Sequence, residues 1–192
     1  MPRASLSPAL LIAEAARLAD AVGFDQLSLA AVARRFGVAV PSLYKHVGGL
    51  AGLRRGLAVL AVRELGAALA AAGEGSPGER LRAMAEAYRD YARAHPGRYQ
   101  ATLRAPEPGD AEHRAASDAV LATIFDALAP YGLGRADAVD ATRVLRAALH
   151  GFVALESEGA FGLPRDVDRS FARLVDVLDS AVRHWSGDQP PK

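Results

Sequence analysis

Between its glycines and prolines, this chain repeats apolar residues at three- and four-residue spacing and almost nowhere alternates them. Leu11, Ala15, Leu18 and Val22 form one such stripe; Leu81, Met84, Tyr88 and Tyr91 form another. Val167, Phe171, Leu174, Leu178 and then Ala181 or Val182 form a third. A period near 3.6 gathers side chains on one face only in a helix, whereas a half-buried strand needs a period of 2. The chain is therefore expected to be all-α, with about nine helices and no strand.

The breaks carry their own chemistry. Ser7 is placed to cap a first helix with Pro8 at its first position, and Gly23 ends it. Ser28 caps a second helix that stops at Gly37, and a short third segment starts at Pro41 and ends at Gly48-Gly49. A long fourth helix is expected over residues 50–72, although Gly52 and Gly56 each cost it about 1 kcal/mol against alanine. "GEGSPG" at 73–78 is the plainest loop, and Pro96-Gly97 and "APEPGD" mark further breaks. Aromatics are only 6% of the chain, so the core must come mostly from Leu, Val and Ala. The terminal "SGDQPPK" is expected to be disordered.

Composition narrows the function. There is no cysteine, which excludes disulfides and thiolate metal sites and fits a reducing cytoplasm. Glu14 and Arg17 interrupt the stretch where a signal peptide would need its apolar core. No segment approaches the ~20 apolar residues of a membrane span. A soluble, cytoplasmic protein with no membrane association is expected. The net charge of +1 hides an asymmetry: residues 1–60 hold seven Lys/Arg against three acids, and the rest hold sixteen against nineteen. A basic end on an acidic body suits a polyanionic partner at that end.

Residues 27–47, "LSLAAVARRFGVAVPSLYKHV", lay a capped helix, a glycine turn and a short proline-started helix end to end. This is a helix-turn-helix layout, in which the first helix braces and the second enters the DNA major groove. Leu29, Val32, Ala33 and Phe36 face inward from the brace, and Val38 and Leu43 pack the short helix onto it. Ala39, Val40, Pro41, Ser42, Tyr44, Lys45 and His46 remain outward or sideways, small residues for base edges and polar ones for phosphates.

The same stretch resembles the DNA-binding segment of TetR-type transcriptional regulators. Ser28, Val32, Ala33, Gly37, Val38, Ser42, Leu43, Tyr44 and His46 match that pattern in register without a gap. The resemblance extends to the whole layout: three N-terminal helices forming a DNA-binding domain over 1–48, a connecting long helix, and a helical ligand-binding and dimerisation domain over 49–185. Residues 186–192 are left as a tail. "HPGRYQATLRAP" and "LRAALHGFVALESEGAF" resemble the C-terminal type named for a Trp-His-Gly motif; His150-Gly151 is kept, and a smaller residue stands where the tryptophan is expected.

The resemblance implies that Val40, Pro41 and Ser42 lie near base edges and that Tyr44, Lys45 and His46 hold phosphates, with Ser28 and Ala39 completing the DNA-facing set. Many relatives grip backbone with a Ser/Asn-Lys pair at the start of the fourth helix, where this chain has "GGLAGL". Backbone N–H groups near Gly48 and Gly49, or Arg54, are the candidates to replace it. The resemblance also implies a homodimer on a double-stranded DNA operator, with the last two helices forming a four-helix bundle between copies. Leu145, Phe152, Phe171, Leu174, Leu178 and Val182 are the expected interface. A small-molecule effector is expected among Met84, Tyr88, Tyr91, Leu103, Phe125, Leu149, His150 and Phe152.

No cofactor or metal is expected, and no enzyme. A di-iron bundle needs Glu-x-x-His pairs on separate helices, and the chain has none. It also lacks a Gly-x-Ser-x-Gly elbow and a phosphate-cradling glycine loop. His95, before a Pro-Gly break, and His113, near a helix start, are read as surface residues. The other reading is a helical small-molecule-binding or interaction module without DNA binding; it requires that changing Tyr44 or Lys45 alter no binding property.

Overall fold

The computed structural model describes residues 6–185. Among them it contains nine α-helices: α1 (Pro8–Val22), α2 (Leu29–Phe36), α3 (Pro41–Val47), α4 (Gly49–Ala70), α5 (Pro77–Ala94), α6 (Pro96–Ala101), α7 (Ala111–Leu128), α8 (Arg135–Ser157) and α9 (Val167–Arg183). A single 3-10 turn, Ala129–Tyr131, follows α7, and no strand occurs among the described residues. The expected disorder of 186–192 lies outside the described residues. The described residues divide into two compact units, one of residues 6–66 with 94–118 and the other of 67–93 with 119–185.

The first unit is built on α1. Ser7 caps it, its Oγ accepting from the Leu10 N–H at 3.3 Å, and Pro8 takes the first turn, where its missing N–H costs nothing. The core gathers Leu11, Ala15 and Ala19 of α1 with Val32, Leu43, Leu53 and Leu57 of the next three helices. All are buried, and each large one stabilises the unit by about 1.5–3 kcal/mol relative to exposure.

Helix α6 also belongs to this unit, although the sequence places it in the C-terminal domain. It lies on α1 backbone to backbone: a Cβ on Gly97 would stand 2.0 Å from the Ala19 carbonyl oxygen. The Arg98 side chain donates to Asp20 at 2.7 Å and to Glu64 at 2.9 Å, while the Arg98 backbone N–H donates to Asp20 at 2.9 Å. The Gln100 amide oxygen accepts from the Phe24 N–H at 3.1 Å. These partners are far apart in sequence, so no local pattern announces them.

The second unit holds α5, most of α7, α8 and α9. Its α9 is strongly amphipathic and buries Phe171, Val175, Leu178 and Val182. Arg89 of α5 is buried there, donating to Glu156 at 2.9 and 2.5 Å and to Asp168 at 2.7 Å. Its guanidinium lies 4.6 Å from the Phe171 ring centre and 5.6 Å from that of Phe152. A buried charge is tolerated because carboxylates and aromatic faces meet it on several sides.

Candidate nucleic-acid interface

Helix α2 begins where Ser28, in an extended conformation, lets its Oγ accept the Ala31 N–H at 3.2 Å. It ends at Gly37, whose φ of 64° is left-handed and whose N–H returns to Ala33 and Arg34 carbonyls. A side chain at that φ would clash with its own carbonyl, so the glycine makes the turn. Four residues later Pro41 starts α3. Leu43 and Val47 point into the core, with Leu43 at 0% exposure.

That inward pair decides what faces out. Ala39, Pro41, Tyr44 and Lys45 are exposed, and Ser42 and His46 are half-buried. Val40 is half-buried too, packed in part against the core of the unit. The Ser28 hydroxyl is already engaged as the cap of α2, which gives it a structural task ahead of any DNA contact.

Lys45 and Arg34 have no ion-pair partner among the described residues, and the Tyr44 hydroxyl has no hydrogen-bond partner there. Arg35 and Arg17 instead share Glu14, at 2.7 and 3.0 Å. The Arg35 hydrogen bond, foremost, holds the Glu14 carboxyl below the usual carboxylate range. Glu14 is therefore neutralised by its own two arginines. At the C-terminal end of α3, Gly48 and Gly49 both have positive φ, 63° and 84°. A Cβ on Gly49 would stand 3.3 Å from the Tyr44 ring, so the double glycine lets the ring lie against backbone.

Two candidates for the missing backbone grip are otherwise occupied. The Gly48 N–H donates to the Tyr44 carbonyl at 3.0 Å, and Arg54 donates to the Asp25 carbonyl at 2.9 Å. The Arg54 guanidinium also lies 5.6 Å from the Phe24 ring centre. Arg54 is turned into the unit.

Residues 11–49 match the family model for bacterial regulatory proteins of the tetR family, and residues 81–178 match that for a tetracyclin repressor-like C-terminal domain. The chain belongs to the TetR family of transcriptional regulators. It is 37% identical over 174 residues to the uncharacterized HTH-type transcriptional regulator Rv0681 of Mycobacterium tuberculosis, covering 90% of this chain and 79% of that one. It is 33% identical over 183 residues to the uncharacterized HTH-type transcriptional regulator YobS of Bacillus subtilis, covering 94% and 95%. Among solved structures, a protein of unknown function from Rhodococcus sp. RHA1 superposes with a TM-score of 0.75 at 27% identity, covering 93% of this chain and 96% of that one. Regulators of this family bind DNA and small-molecule ligands.

In this TetR-family chain the expected effector residues are not all together. Met84, Tyr88, Tyr91 and Leu149 are buried, His150 and Phe152 are half-buried, and Phe125 is at the surface. Leu103 is exposed and falls in the first unit, whereas the others fall in the second. Phe152 is held in an aromatic cluster, its ring centre 4.8 Å from that of Phe161 and 5.1 Å from that of Phe171.

The expected dimer residues also divide. Leu145, Phe171, Leu178 and Val182 are buried in their own chain, so they are core and cannot meet a second copy. Phe152 and Leu174 are half-buried. The apolar residues left exposed on these helices are Val144 and Leu155 of α8 and Val177 of α9. On α9 the buried Phe171, Leu178 and Val182 therefore adjoin a more open face of Leu174, Val177 and Ala181.

The histidines needed correction too. His113 is 3% exposed, buried instead of at the surface, and His95 is half-buried with its Nδ1 2.8 Å from Arg98. No group of three or more metal-ligating side chains occurs among the described residues, and no described helix is long and apolar enough to cross a membrane.

Proposed function

We propose that this TetR-family regulator is a cytoplasmic repressor that binds a near-palindromic operator as a homodimer and is released by a small-molecule ligand in its C-terminal domain (49–185), residues 1–48 reading the DNA. The observation that carries the reading is the division of α3: Leu43 and Val47 buried, Tyr44 and Lys45 exposed and unpaired. Ala39, Val40, Pro41 and Ser42 then meet base edges. Tyr44, Lys45, His46 and Arg34 meet phosphate, and Ser28 offers at most its hydroxyl proton. So few base-reading side chains make phosphate contacts the larger share of affinity.

One such reading head covers few base pairs, so two must act about 34–36 Å apart on one face of the duplex. The surface proposed for pairing is the strip of Val144, Ala148, Gly151 and Leu155 on α8, at helical spacing, with Leu174, Val177 and Ala181 on α9; Ala148, Gly151 and Leu174 are half-buried and the others exposed. Gly151 has open space where a Cβ would stand, which lets a second helix come close. Met84, Tyr88, Tyr91, Leu149, His150 and Phe152 are the proposed effector-facing residues. The effector must prefer a conformation whose heads no longer fit the half-site spacing, because only differential affinity shifts an equilibrium. Helix α4, continuous from Gly49 to Ala70, is the proposed lever.

Selection of genomic fragments on the full-length protein tests this reading. Enrichment of a palindromic element by the wild type, lost in the Tyr44→Ala/Lys45→Ala double variant, is expected. Equal enrichment by both proteins, or none by either, would sink it.

A further inference from the structure

The first unit contains a cavity of about 280 Å³ against the first turns of α4, outside the proposed effector region. Leu50, Ala51 and Ala58 of α4 and Ala105 of the loop after α6 give it apolar walls. Arg54, Arg104 and His113 give it polar ones. Two side-chain polar atoms among the described residues are buried without any hydrogen-bond partner, Arg54 Nε and His113 Nε2. Both belong to residues that line this cavity. An unpaired buried polar atom costs about 1–3 kcal/mol, and two on residues that line one space point to something the space receives.

The charges facing the cavity settle its sign. Arg55 is spent on Asp110, with two bonds of 2.5 Å, and on Glu112 at 3.2 Å. Asp110 also accepts the His113 backbone N–H at 3.0 Å, so that carboxylate is satisfied. Arg54 has a neutral carbonyl as its hydrogen-bond partner, and Arg104 has no ion-pair partner among the described residues. Their guanidinium carbons lie 5.6 and 5.9 Å from the same Phe24 ring centre. Against these two cations, neither of them in an ion pair, stands one remaining acid, the exposed Glu107. The cavity carries surplus positive charge next to apolar wall.

We infer that this cavity is a binding site for a small organic carboxylate. Its carboxylate accepts from the Arg54 and Arg104 guanidinium groups and from a protonated ring nitrogen of His113, and its short apolar body lies on the alanines and Leu50. Arginine suits the task because its fork presents paired donors to a carboxylate. The site is formed by residues of one unit and is independent of the DNA-binding reading.

The test is a titration of full-length, isotope-labelled protein with sodium hexanoate, read by the His113 ring resonances and by calorimetry, with inorganic phosphate in parallel at equal ionic strength. Saturable hexanoate binding that moves the His113 ring signals, tighter than phosphate, is expected. Arg104→Gln, at an exposed position free of ion pairs, should weaken it about tenfold or more while the thermal midpoint holds. His113→Gln should weaken it as well, and Arg146→Gln, which removes equal charge from an exposed position on α8, should leave it unchanged. Unmoved His113 signals would show a cavity that holds water alone and would overturn the inference. So would phosphate binding as tightly as hexanoate, or equal weakening by Arg146→Gln, since either marks non-specific ion attraction.

Discussion

The carbonyl oxygen of Val47 lies 1.8 Å from where a Cβ on Gly52 would stand, so the last residue of α3 and the first turn of α4 meet backbone to backbone. Helix propensity alone says that Gly52→Ala should stabilise α4 by about 1 kcal/mol. The obstructing atom is a main-chain oxygen that cannot rotate away, and forcing in a methyl typically costs about 1–3 kcal/mol. The steric effect wins. Gly52→Ala is expected to lower the urea midpoint and, because α3 must shift, to weaken DNA binding further than stability alone explains. A raised midpoint would show that the two helices part easily.

The helix-turn-helix was legible because its signals are local. Ser28 caps within three residues, Gly37 turns within one, and Pro41 fixes one φ; none needs a distant partner. What failed to show was whatever depends on distant partners. Gly97 on Ala19 and Arg98 on Asp20 join segments nearly eighty positions apart, so the allegiance of α6 was invisible. His113 stands at the start of α7, where a histidine is usually wet, yet it lines a cavity opposite α4. In α9 the period of 3.6 located the stripe, but Phe171, Leu178 and Val182 adjoin Leu174, Val177 and Ala181 on the helix surface. Periodicity cannot say which of two adjoining apolar faces the chain itself covers.

Lys45 and Tyr44 should separate by salt. Lys45 is a free cation on α3, and each phosphate it neutralises releases condensed counterions, steepening the salt dependence of DNA affinity by about 0.9 in log–log slope. Lys45→Ala is expected to weaken binding across all sequences and to flatten that slope by about one. Tyr44→Phe removes one neutral hydroxyl, so it should cost about 0.5–1.5 kcal/mol with the slope unchanged. Fluorescence anisotropy on one duplex over a range of potassium chloride reads both. Equal slopes for wild type and Lys45→Ala would take Lys45 off the phosphates.

Arg89 holds Glu156 charged inside the second unit. Their side chains are 8% and 15% exposed, and the Arg89 hydrogen bonds, ahead of every other influence, keep the Glu156 carboxyl below its ordinary range. Arg89→Ala leaves that carboxylate without its cation and is expected to cost about 3–5 kcal/mol. The double change Arg89→Met/Glu156→Leu removes both charges and should recover most of the loss, the guanidinium contacts with Phe152 and Phe171 being replaced by thioether packing. Urea denaturation of the three proteins decides it. Failure of the double variant to exceed Arg89→Ala would mean that the ion pair itself, and not the stranded charge, sets the cost.

The proposed pairing surface predicts a change of oligomeric state. Val177 is 64% exposed on α9 and Leu155 is 51% exposed on α8, so a charge at either position costs the isolated chain little. Buried between two copies, Val177→Glu would bring like charges together in an apolar seam. Sedimentation equilibrium should show its dimer dissociation constant raised about tenfold or more, roughly 1.4 kcal/mol, with helical content unchanged. Phe171→Glu, aimed at the buried face, should instead fail to fold stably. A Val177→Glu dimer as tight as wild type would move the interface elsewhere.

Asp110 gives the first unit an acid-sensitive tie. Hydrogen bonds from Arg55, then the His113 N–H, pull its pKa from the ordinary 3.8 down to about 2. The folded chain therefore holds fewer protons at this site than the unfolded chain between those two values, and stability rises with pH there. The contribution is complete above the unfolded pKa and is lost as pH falls toward about 2. In Asp110→Asn the tie is absent at every pH. Denaturation midpoints of the two proteins should thus differ at neutral pH and converge across the acid range, with the variant nearly flat in this respect. Because Arg55 also reaches Glu112, the comparison belongs in a Glu112→Gln background, where that second carboxylate cannot take up the freed guanidinium. A gap that stayed constant from pH 7 down into the acid range would mean that the asparagine disturbs the start of α7 through its shape, and that the charge on Asp110 contributes nothing.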